Sequence, residues 1–299
     1  MRRFLPAVLA LVGLLTVAAA CGGEGEAAEQ GAVSRLPVVA TTTQLTDFVR
    51  MVGGDHVDVH GILRPNVDAH DFEPSPADIA KLTAARVIVK NGIGLEEWFD
   101  STIKNAGTTA TVVEATSGVA TRDGDPHVWQ DPRNAKAMVH NIAVALVAAD
   151  PAHAADYEAN AAAYAAELDR LDAEIAARIG GLANKKIVTN HDAFGYYIDR
   201  YGLDFVGSII PSFDSQAELS AQDVSNVVKL IKETGVKAVF SETSLPPRTA
   251  EAIGRDAGVT VVAGDDALYG DSLGPPGSDG DTYVKMLRHN TKAIVDHLR

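Results

Sequence analysis

The sequence predicts an α/β protein of two lobes, each a mostly parallel sheet covered by helices, joined by one long, rigid α-helix. Three observations predict this architecture. Short β-branched runs alternate with helical patterns over residues 36–150, one helical pattern without strand signals occupies 151–181, and the alternation resumes over 182–299. Strand–helix alternation is typical of parallel sheets with helices on their faces. A single doubly wound sheet with a helical insertion is the alternative.

The N-terminal lobe contains four candidate strands with helical patterns between them. Each candidate is a short run rich in Val and Ile, which is typical of buried parallel strands. The candidates are residues 37–42, 56–63, 86–91 and 111–115. The intervening segments carry apolar residues at helical spacing and predict helices: QLTDFVRMVG, SPADIAKLTAA and LEEWFDSTIKNA.

The connecting segment, residues 151–181, predicts one continuous helix. Pro151 stands at its start and Gly180-Gly181 at its end, as is common at helix boundaries. At 1.5 Å per residue this helix would be roughly 40–45 Å long, enough to span both lobes. One apolar stripe runs along it: Tyr157, Tyr164, Leu168, Leu171, Ile175 and Ile179.

The C-terminal lobe repeats the design of the first. Its candidate strands are residues 186–190, 203–209, 236–242 and 259–264. Helical patterns separate or follow these strands: AFGYYIDRYG, SAQDVSNVVKLIKET, PPRTAEAIGRDAG and TYVKMLRHNTKAIVDHL.

The N-terminus has the features of an export signal. Residues 1–20 hold two arginines, an apolar run and small residues, a pattern typical of a secretory signal peptide rather than of a membrane span. Cys21, the only cysteine, follows three alanines in an arrangement that resembles a bacterial lipoprotein box, in which the cysteine is lipidated. Ordinary signal cleavage that leaves a spare cysteine is the alternative. Residues 21–35 are rich in Gly, Ala and Glu and predict a flexible tether.

The charge of the chain favours a cationic ligand. Without residues 1–20, 24 basic side chains stand against 40 acidic ones, a net charge of −16. Such a balance argues against binding to nucleic acid or to anionic lipid. We therefore expect an exported protein without a nucleic acid partner, lipid-anchored to the outer face of the cell membrane or periplasmic.

Three of the nine histidines share one context, a loop that leads into a helix. His70 precedes residues 75–78, Ser-Pro-Ala-Asp, which have the pattern of a capping box with Pro at the first helical position. His127 precedes an Asp cap that is again followed by Pro, at residues 131–132. The histidines without such a context are interpreted as solvated or packed side chains: His56, His60, His140, His153, His289 and His297.

The third histidine of this kind, His191, belongs to the C-terminal lobe. It ends a candidate strand and meets the helical pattern AFGYYIDRYG, with Asn190 or Asp192 as the expected helix cap. All three histidines therefore lie at the sheet edge where open α/β folds bind their ligands.

This repeated arrangement suits a metal site. A ligating imidazole must be neutral, and the positive end of a helix dipole disfavours imidazolium. Nearby carboxylates can accept the other ring N–H and select the tautomer. A fourth ligand is expected after the last strand, where Asp265, Asp266 and Asp271 are candidates that spacing does not separate.

Five motifs together resemble those of the zinc- and manganese-binding solute-binding proteins of bacterial ABC importers, over a span from about Leu36 to the C-terminus. The resemblance implies four metal ligands, His70, His127, His191 and Asp271, and it alone favours Asp271 over the other two aspartates. It also implies two lobes around a rigid helix, with the metal buried in the interlobe cleft. The motifs are HDFEPSPADI, NGIGLEEW, DPHVWQDPRNA, VTNHDAFGYY and LYGDSLGPPGSDGDTYVKMLRHN.

The resemblance implies a carrier and not an enzyme. Such a protein captures Zn²⁺ outside the cytoplasm and delivers it to an ABC permease driven by its ATPase. We expect a monomer held at the membrane by its lipid anchor, with a metallochaperone as a further candidate partner. Three imidazoles favour zinc, whereas Mn²⁺ prefers oxygen ligands, and similar manganese carriers often have Glu in place of His191.

Three alternatives remain. The first is a manganese carrier of the same family. The second is an exported zinc hydrolase with Asp271 as general base, which the absence of an HExxH motif and of a nucleophile elbow disfavours. The third is a surface adhesin, a role that is compatible with a carrier.

Overall fold

Two parallel sheets of four strands each organise residues 35–299, the part of the chain that the computed structural model describes. The predicted signal peptide, the lipidation of Cys21 and the tether up to residue 34 lie outside the described residues. Within the described residues, no helix has the length and apolar character needed to cross a bilayer.

The first sheet has the strand order β2-β1-β3-β4 and every neighbouring pair is parallel. Helices follow its strands and cover it, as the alternating pattern predicts. The strands are β1 (Leu36–Ala40), β2 (Val57–Gly61), β3 (Val87–Lys90) and β4 (Thr111–Glu114). The helices are α1 (Thr43–Gly53), α2 (Pro76–Ala84), α3 (Glu97–Ala106) and α4 (Pro132–Ala149). We call this sheet with its helices the first lobe.

The connecting helix α5 spans Ala154–Gly180 and packs against α1 and α4 of the first lobe. It begins three residues later than predicted, because Pro151–His153 form a separate 3₁₀ turn. The predicted apolar stripe is confirmed, since its six residues are the buried residues of this helix. At 1.5 Å per residue, α5 is about 40 Å long.

The second sheet repeats the parallel arrangement, with the order β6-β5-β7-β8. Its strands are β5 (Lys186–His191), β6 (Asp204–Ile210), β7 (Ala238–Phe240) and β8 (Thr260–Val262). Its helices are α6 (Gly195–Tyr201), α7 (Ala221–Thr234), α8 (Arg248–Ala257) and α9 (Tyr283–Leu298). We call this sheet with its helices the second lobe. The two-lobed α/β architecture is therefore confirmed, and the single doubly wound sheet is excluded.

A continuous apolar core joins the lobes in addition to α5. At its centre Phe48 of α1 packs edge-on against Tyr283 of α9, with ring centroids 4.8 Å apart. Tyr164 of α5 lies 6.1 Å from the Phe48 ring. All three rings are buried, so an element of each lobe and the connecting helix share one packed centre.

Candidate metal centre

Four side chains converge between the lobes: His70, His127, His191 and Asp271. One ligand atom from each lies within 4.8 Å of all the others. The edge of a tetrahedron with metal–ligand bonds of 2.0–2.1 Å is about 3.3–3.4 Å. His70 Nε2 and His127 Nε2 are 3.3 Å apart, so their spacing matches that of two ligands of one ion.

The carboxylate of Asp271 completes this arrangement. Its Oδ1 lies 3.2 Å from His127 Nε2. Its Oδ2 lies 3.4 Å from His191 Nε2 and 3.7 Å from His70 Nε2. Both oxygens are buried without a hydrogen-bond partner. Buried unpaired carboxylate oxygens are costly unless a cation or a donor faces them, which points to a cation-binding role.

The loop before α2 presents His70, and several contacts fix it. The predicted capping box is confirmed, because Ser75 Oγ accepts the Asp78 N–H and Asp78 accepts the Ser75 N–H. His60 Nε2 lies 2.8 Å from Asp78 Oδ1, which ties the start of α2 to β2. Trp98 Nε1 donates to the carbonyl of Ala69, beside His70. His70 is the only one of the four that is not fully buried.

His127 precedes a 3₁₀ turn, Val128–Gln130, and then the Asp131 cap of α4. Asp125 holds it, since Asp125 Oδ1 accepts both the His127 N–H at 3.0 Å and the ring Nδ1–H at 2.7 Å. This bond leaves Nε2 free to face the other ligand atoms. The ring of Trp129 lies edge-on to that of His127, with centroids 5.4 Å apart.

His191 is the last residue of β5, and the helix cap predicted beside it is wrong. The helix α6 begins only at Gly195, and no side-chain hydrogen bond caps it. The chain bends at Asp192, whose N–H is bonded to the Ser212 carbonyl. Strand geometry, not a helix end, therefore positions His191.

A buried carboxylate from a distant segment holds the ring of His191. Glu242 Oε1 lies 2.8 Å from His191 Nδ1 and 3.1 Å from the His191 backbone nitrogen, and accepts both N–H groups. His191 Nε2 has no hydrogen-bond partner and is directed toward Asp271.

Donors from the first lobe hold the peptide before Asp271. The Gly270 carbonyl accepts from Trp129 Nε1 and from Gln130 Nε2, each at 3.2 Å. The structure thus brings Asp271 to the histidines and leaves the alternatives Asp265 and Asp266 in a separate 3₁₀ turn, Gly264–Asp266.

The charges at the centre set a competition between protons and a cation. Burial lowers the pKa of His127, but Asp125 and Asp271 outweigh this effect and raise it to about 10. Burial also lowers the pKa of His191, and Glu242 with Asp271 raises it overall. Burial lowers the pKa of His70. The carboxylate partners of His127 and His191 therefore favour the protonated ring.

The carboxyl of Asp271 remains ionised. Burial raises its pKa, but the surrounding histidines outweigh burial and hold the pKa well below its usual range. A cation at the centre therefore meets an anionic carboxylate and replaces protons on the imidazoles.

Hydrogen bonds at two places join the first lobe to the second near the four side chains. On the His70 loop, Asp68 Oδ2 accepts from Ser215 Oγ at 2.5 Å and from Gln216 Nε2 at 2.8 Å, both in the second lobe. Elsewhere, Arg122 Nε of the first lobe donates to Asp199 of α6 at 2.8 Å.

Sequence reasoning missed several of these supporting residues. Asp125 stands two residues before His127, so the motif itself carried a signal for it. Glu242 lies 51 residues from His191, and no local pattern connects the two. The bond from Trp129 Nε1 to the Gly270 carbonyl follows only from the fold, because 141 residues separate the two in the chain.

Comparisons with known proteins show which sequences and structures this chain is similar to. Residues 38–297 match the family model described as the periplasmic zinc-uptake complex component A, ZnuA. The chain is 32% identical over 281 residues to the iron ABC transporter substrate-binding lipoprotein MtsA of Streptococcus pyogenes serotype M1, covering 88% of this chain and 89% of that protein. It is 30% identical over 308 residues to the manganese ABC transporter substrate-binding lipoprotein PsaA of Streptococcus anginosus, covering 97% of each. The periplasmic zinc binding protein TroA from Treponema pallidum superposes with a TM-score of 0.83 at 27% identity, over 89% of this chain and 99% of that one.

Proposed function

The chain belongs to the family of the periplasmic zinc-uptake component ZnuA, and from this premise we propose that it is the substrate-binding component of a metal ABC importer. In this role it captures a divalent cation outside the cytoplasm and hands it to a permease driven by an ATPase. The names of MtsA and PsaA as substrate-binding lipoproteins of metal ABC transporters support this role.

The observation that carries the proposal is the convergence of His70, His127, His191 and Asp271 between the lobes. We propose these four as the metal ligands. Four protein ligands close a tetrahedral zinc site, whereas catalytic zinc keeps a position for water. A closed site therefore suits a carrier and disfavours the zinc hydrolase.

We propose Zn²⁺ as the transported ion. Three imidazoles and one carboxylate form a nitrogen-rich set, which suits zinc, and Zn²⁺ exceeds Mn²⁺ and Fe²⁺ in general affinity for such ligands. Two distances fit the edge of a zinc tetrahedron, about 3.3–3.4 Å: His70 Nε2 lies 3.3 Å from His127 Nε2, and His191 Nε2 lies 3.4 Å from Asp271 Oδ2.

Manganese is the second candidate, and one observation favours it. Both oxygens of Asp271 face the histidines, so the carboxylate can bind through two oxygens and give five donor atoms. Relatives are named for iron and manganese as well as zinc, so family membership alone does not select the ion.

The deciding experiment is a metal competition on the purified mature protein. After metal removal by chelation, Zn²⁺, Mn²⁺ and Fe²⁺ are titrated singly and in pairs, with elemental analysis of the product. We expect one tightly bound zinc per chain that excess Mn²⁺ does not displace. Manganese binding as tightly as zinc would overturn the choice of ion.

The structure of the loaded protein tests the carrier itself. We expect His70, His127, His191 and Asp271 all within bonding distance of the ion. A stable water on the metal, with Asp271 outside bonding distance, would favour the hydrolase.

We also propose that the protein is exported and anchored through lipidated Cys21, as the names of its lipoprotein relatives suggest. Substitution Cys21→Ser is expected to move the protein from the membrane fraction to the soluble exported fraction, and to abolish labelling with a radioactive fatty acid. Unchanged fractionation and labelling would contradict the anchor.

A further inference from the structure

Glu242 is a buried carboxylate that no ligand set includes, although it contacts one of the proposed ligands. It lies two residues after β7, and only 2% of its surface is exposed. Its Oε1 accepts both the backbone N–H and the Nδ1–H of His191, while its Oε2 is buried without a partner. Because burying a carboxylate is costly, a side chain placed in this way calls for a functional reason.

The two bonds to His191 determine which ring nitrogen can meet a metal. With Nδ1–H donating to Glu242, the neutral ring carries its lone pair on Nε2, which lies 3.4 Å from Asp271 Oδ2. Ligating histidines in general donate their other N–H to a carboxylate or carbonyl, which orients the ring and makes it a stronger ligand. The bond to the His191 backbone N–H also holds the carboxylate to the end of β5.

Gly270 explains how Glu242 fits beside the site. A methyl group at residue 270 would lie 2.1 Å from Glu242 Oε2, far inside van der Waals contact. The backbone of Gly270 is not in the left-handed region, so the glycine is required for space and not for conformation. Bonds from Trp129 and Gln130 to the Gly270 carbonyl hold this peptide in place.

We propose that Glu242 is a positioning residue for metal binding, and that residue 270 is glycine because this carboxylate needs the space. Glu242 holds His191 as the Nδ1–H tautomer with Nε2 directed at the ion. The inference rests on the proposed function, because it assigns a role within the same metal site.

The test measures zinc affinity by competition with a chromophoric chelator on purified mature protein. Loss of a carboxylate that supports a ligating histidine typically weakens metal binding about 10–100-fold. We expect Glu242→Gln, which keeps an acceptor oxygen but loses the charge, to weaken zinc binding about tenfold, and Glu242→Ala to weaken it about 100-fold.

A double-mutant cycle tests the role of Gly270. Gly270→Ala alone should weaken zinc binding about as much as Glu242→Ala, because the new methyl group displaces the carboxylate. In the Glu242→Ala background the same change should cost almost nothing, since the next nearest atom, His191 Cε1, would lie at 3.7 Å. Additive effects of the two substitutions would refute the spatial argument, because independent sites add.

A matched control uses a second carboxylate–histidine pair that lies outside the site. Asp150 Oδ2 lies 2.7 Å from His153 Nδ1, so Asp150→Asn changes the same kind of bond. It should leave zinc affinity unchanged.

A second readout separates positioning from a merely structural role. In ¹⁵N NMR spectra of the zinc-loaded wild type, His191 should be entirely the Nδ1–H tautomer. In zinc-loaded Glu242→Ala, His191 should no longer be present as that single tautomer. Wild-type zinc affinity in both Glu242 variants would overturn the inference while leaving the proposed function intact. Absence of zinc binding by the wild type would instead refute the proposal that zinc is the transported ion.

Discussion

The partly buried carboxyl of Asp47 yields a quantitative prediction about stability. Asp47 lies on α1 within the core that joins the lobes, where its Oδ2 accepts the Tyr283 N–H of α9 at 3.0 Å and faces the Tyr164 hydroxyl of α5 at 3.4 Å. Burial is the main cause that raises its pKa from 3.8 to about 6. The perturbation is Asp47→Asn, which keeps an oxygen for the Tyr283 N–H and cannot ionise.

The size and sign of the effect follow from this pKa. Because folding raises the pKa of Asp47, the folded protein binds this proton more tightly than the unfolded chain. The contribution of this proton to stability is therefore complete below about pH 4 and is lost as the pH rises to about 6. The rise of the pKa from 3.8 to about 6 strengthens proton binding by about two factors of ten. Each factor of ten is worth about 1.4 kcal/mol, so the full effect on the free energy of unfolding is about 3 kcal/mol. At pH 7 the Asp47→Asn protein should be more stable than wild type by up to about 3 kcal/mol, and the difference should vanish toward pH 4.

The assay is urea unfolding of both proteins with a chelator present, at intervals from pH 4 to 7.5. The difference between the two free energies of unfolding isolates Asp47, because all other titrating groups are common to both proteins. The exposed residue Asp58 supplies a control for the loss of one carboxylate, and Asp58→Asn should change the free energy of unfolding only slightly. A difference for Asp47→Asn that is constant across this range would refute the reasoning.

Three further predictions concern the metal centre. Asp271→Ala should weaken zinc binding by about 100-fold or more, because one of four proposed ligands would carry roughly a quarter of a binding free energy of about 10–16 kcal/mol. Calorimetry measures this change, and a substitution of the exposed residue Asp265, Asp265→Ala, should leave binding normal. Asp68→Ala should speed zinc release about tenfold in stopped-flow chelation, because it removes the bonds from Ser215 and Gln216. Hydrogen bonds to a charged group are worth about 1.5–3 kcal/mol before solvent screening. Asp71→Ala, at an exposed residue of the same loop, is the control, and equal release rates in the Asp68 variant and the wild type would contradict the prediction. Trp129→Phe should weaken zinc binding up to about tenfold through loss of one neutral hydrogen bond of about 0.5–1.5 kcal/mol, and unchanged affinity in the competition assay would contradict this.

The fold was predictable where its signals are local. The stripe of α5 repeats at helical spacing, so its buried residues could be identified before the structure. The strands were also placed correctly, with ends that differ by at most two residues, because tertiary hydrogen bonds decide where a ladder stops. The helix start near His191 was not predictable, since Asp192 bonds to the Ser212 carbonyl of a distant segment.

The candidate site was predictable to a different degree for each residue. His70 and His127 stand in motifs with Pro and capping residues, which are visible locally. Asp271 could be separated from its neighbours only by resemblance, because bonds from Trp129 and Gln130 to the preceding carbonyl position it. Glu242 was not predictable, because parallel strand pairing brings β5 and β7 together from segments far apart in the chain.

The shared core of Phe48, Tyr164 and Tyr283 opposes any motion that would swing the lobes apart. An aromatic ring buries about 150–250 Å², so exposing all three by swinging the lobes apart would cost roughly 10–20 kcal/mol at about 25 cal/mol per Å². This cost matches or exceeds the whole stability of a typical domain, about 5–15 kcal/mol. Displacement of the His70 loop alone would disturb less packing, because His70 is the only one of the four side chains that is not fully buried. We therefore expect the dwell time of a bound ion to depend on its bonds to the four side chains and on the contacts of that loop.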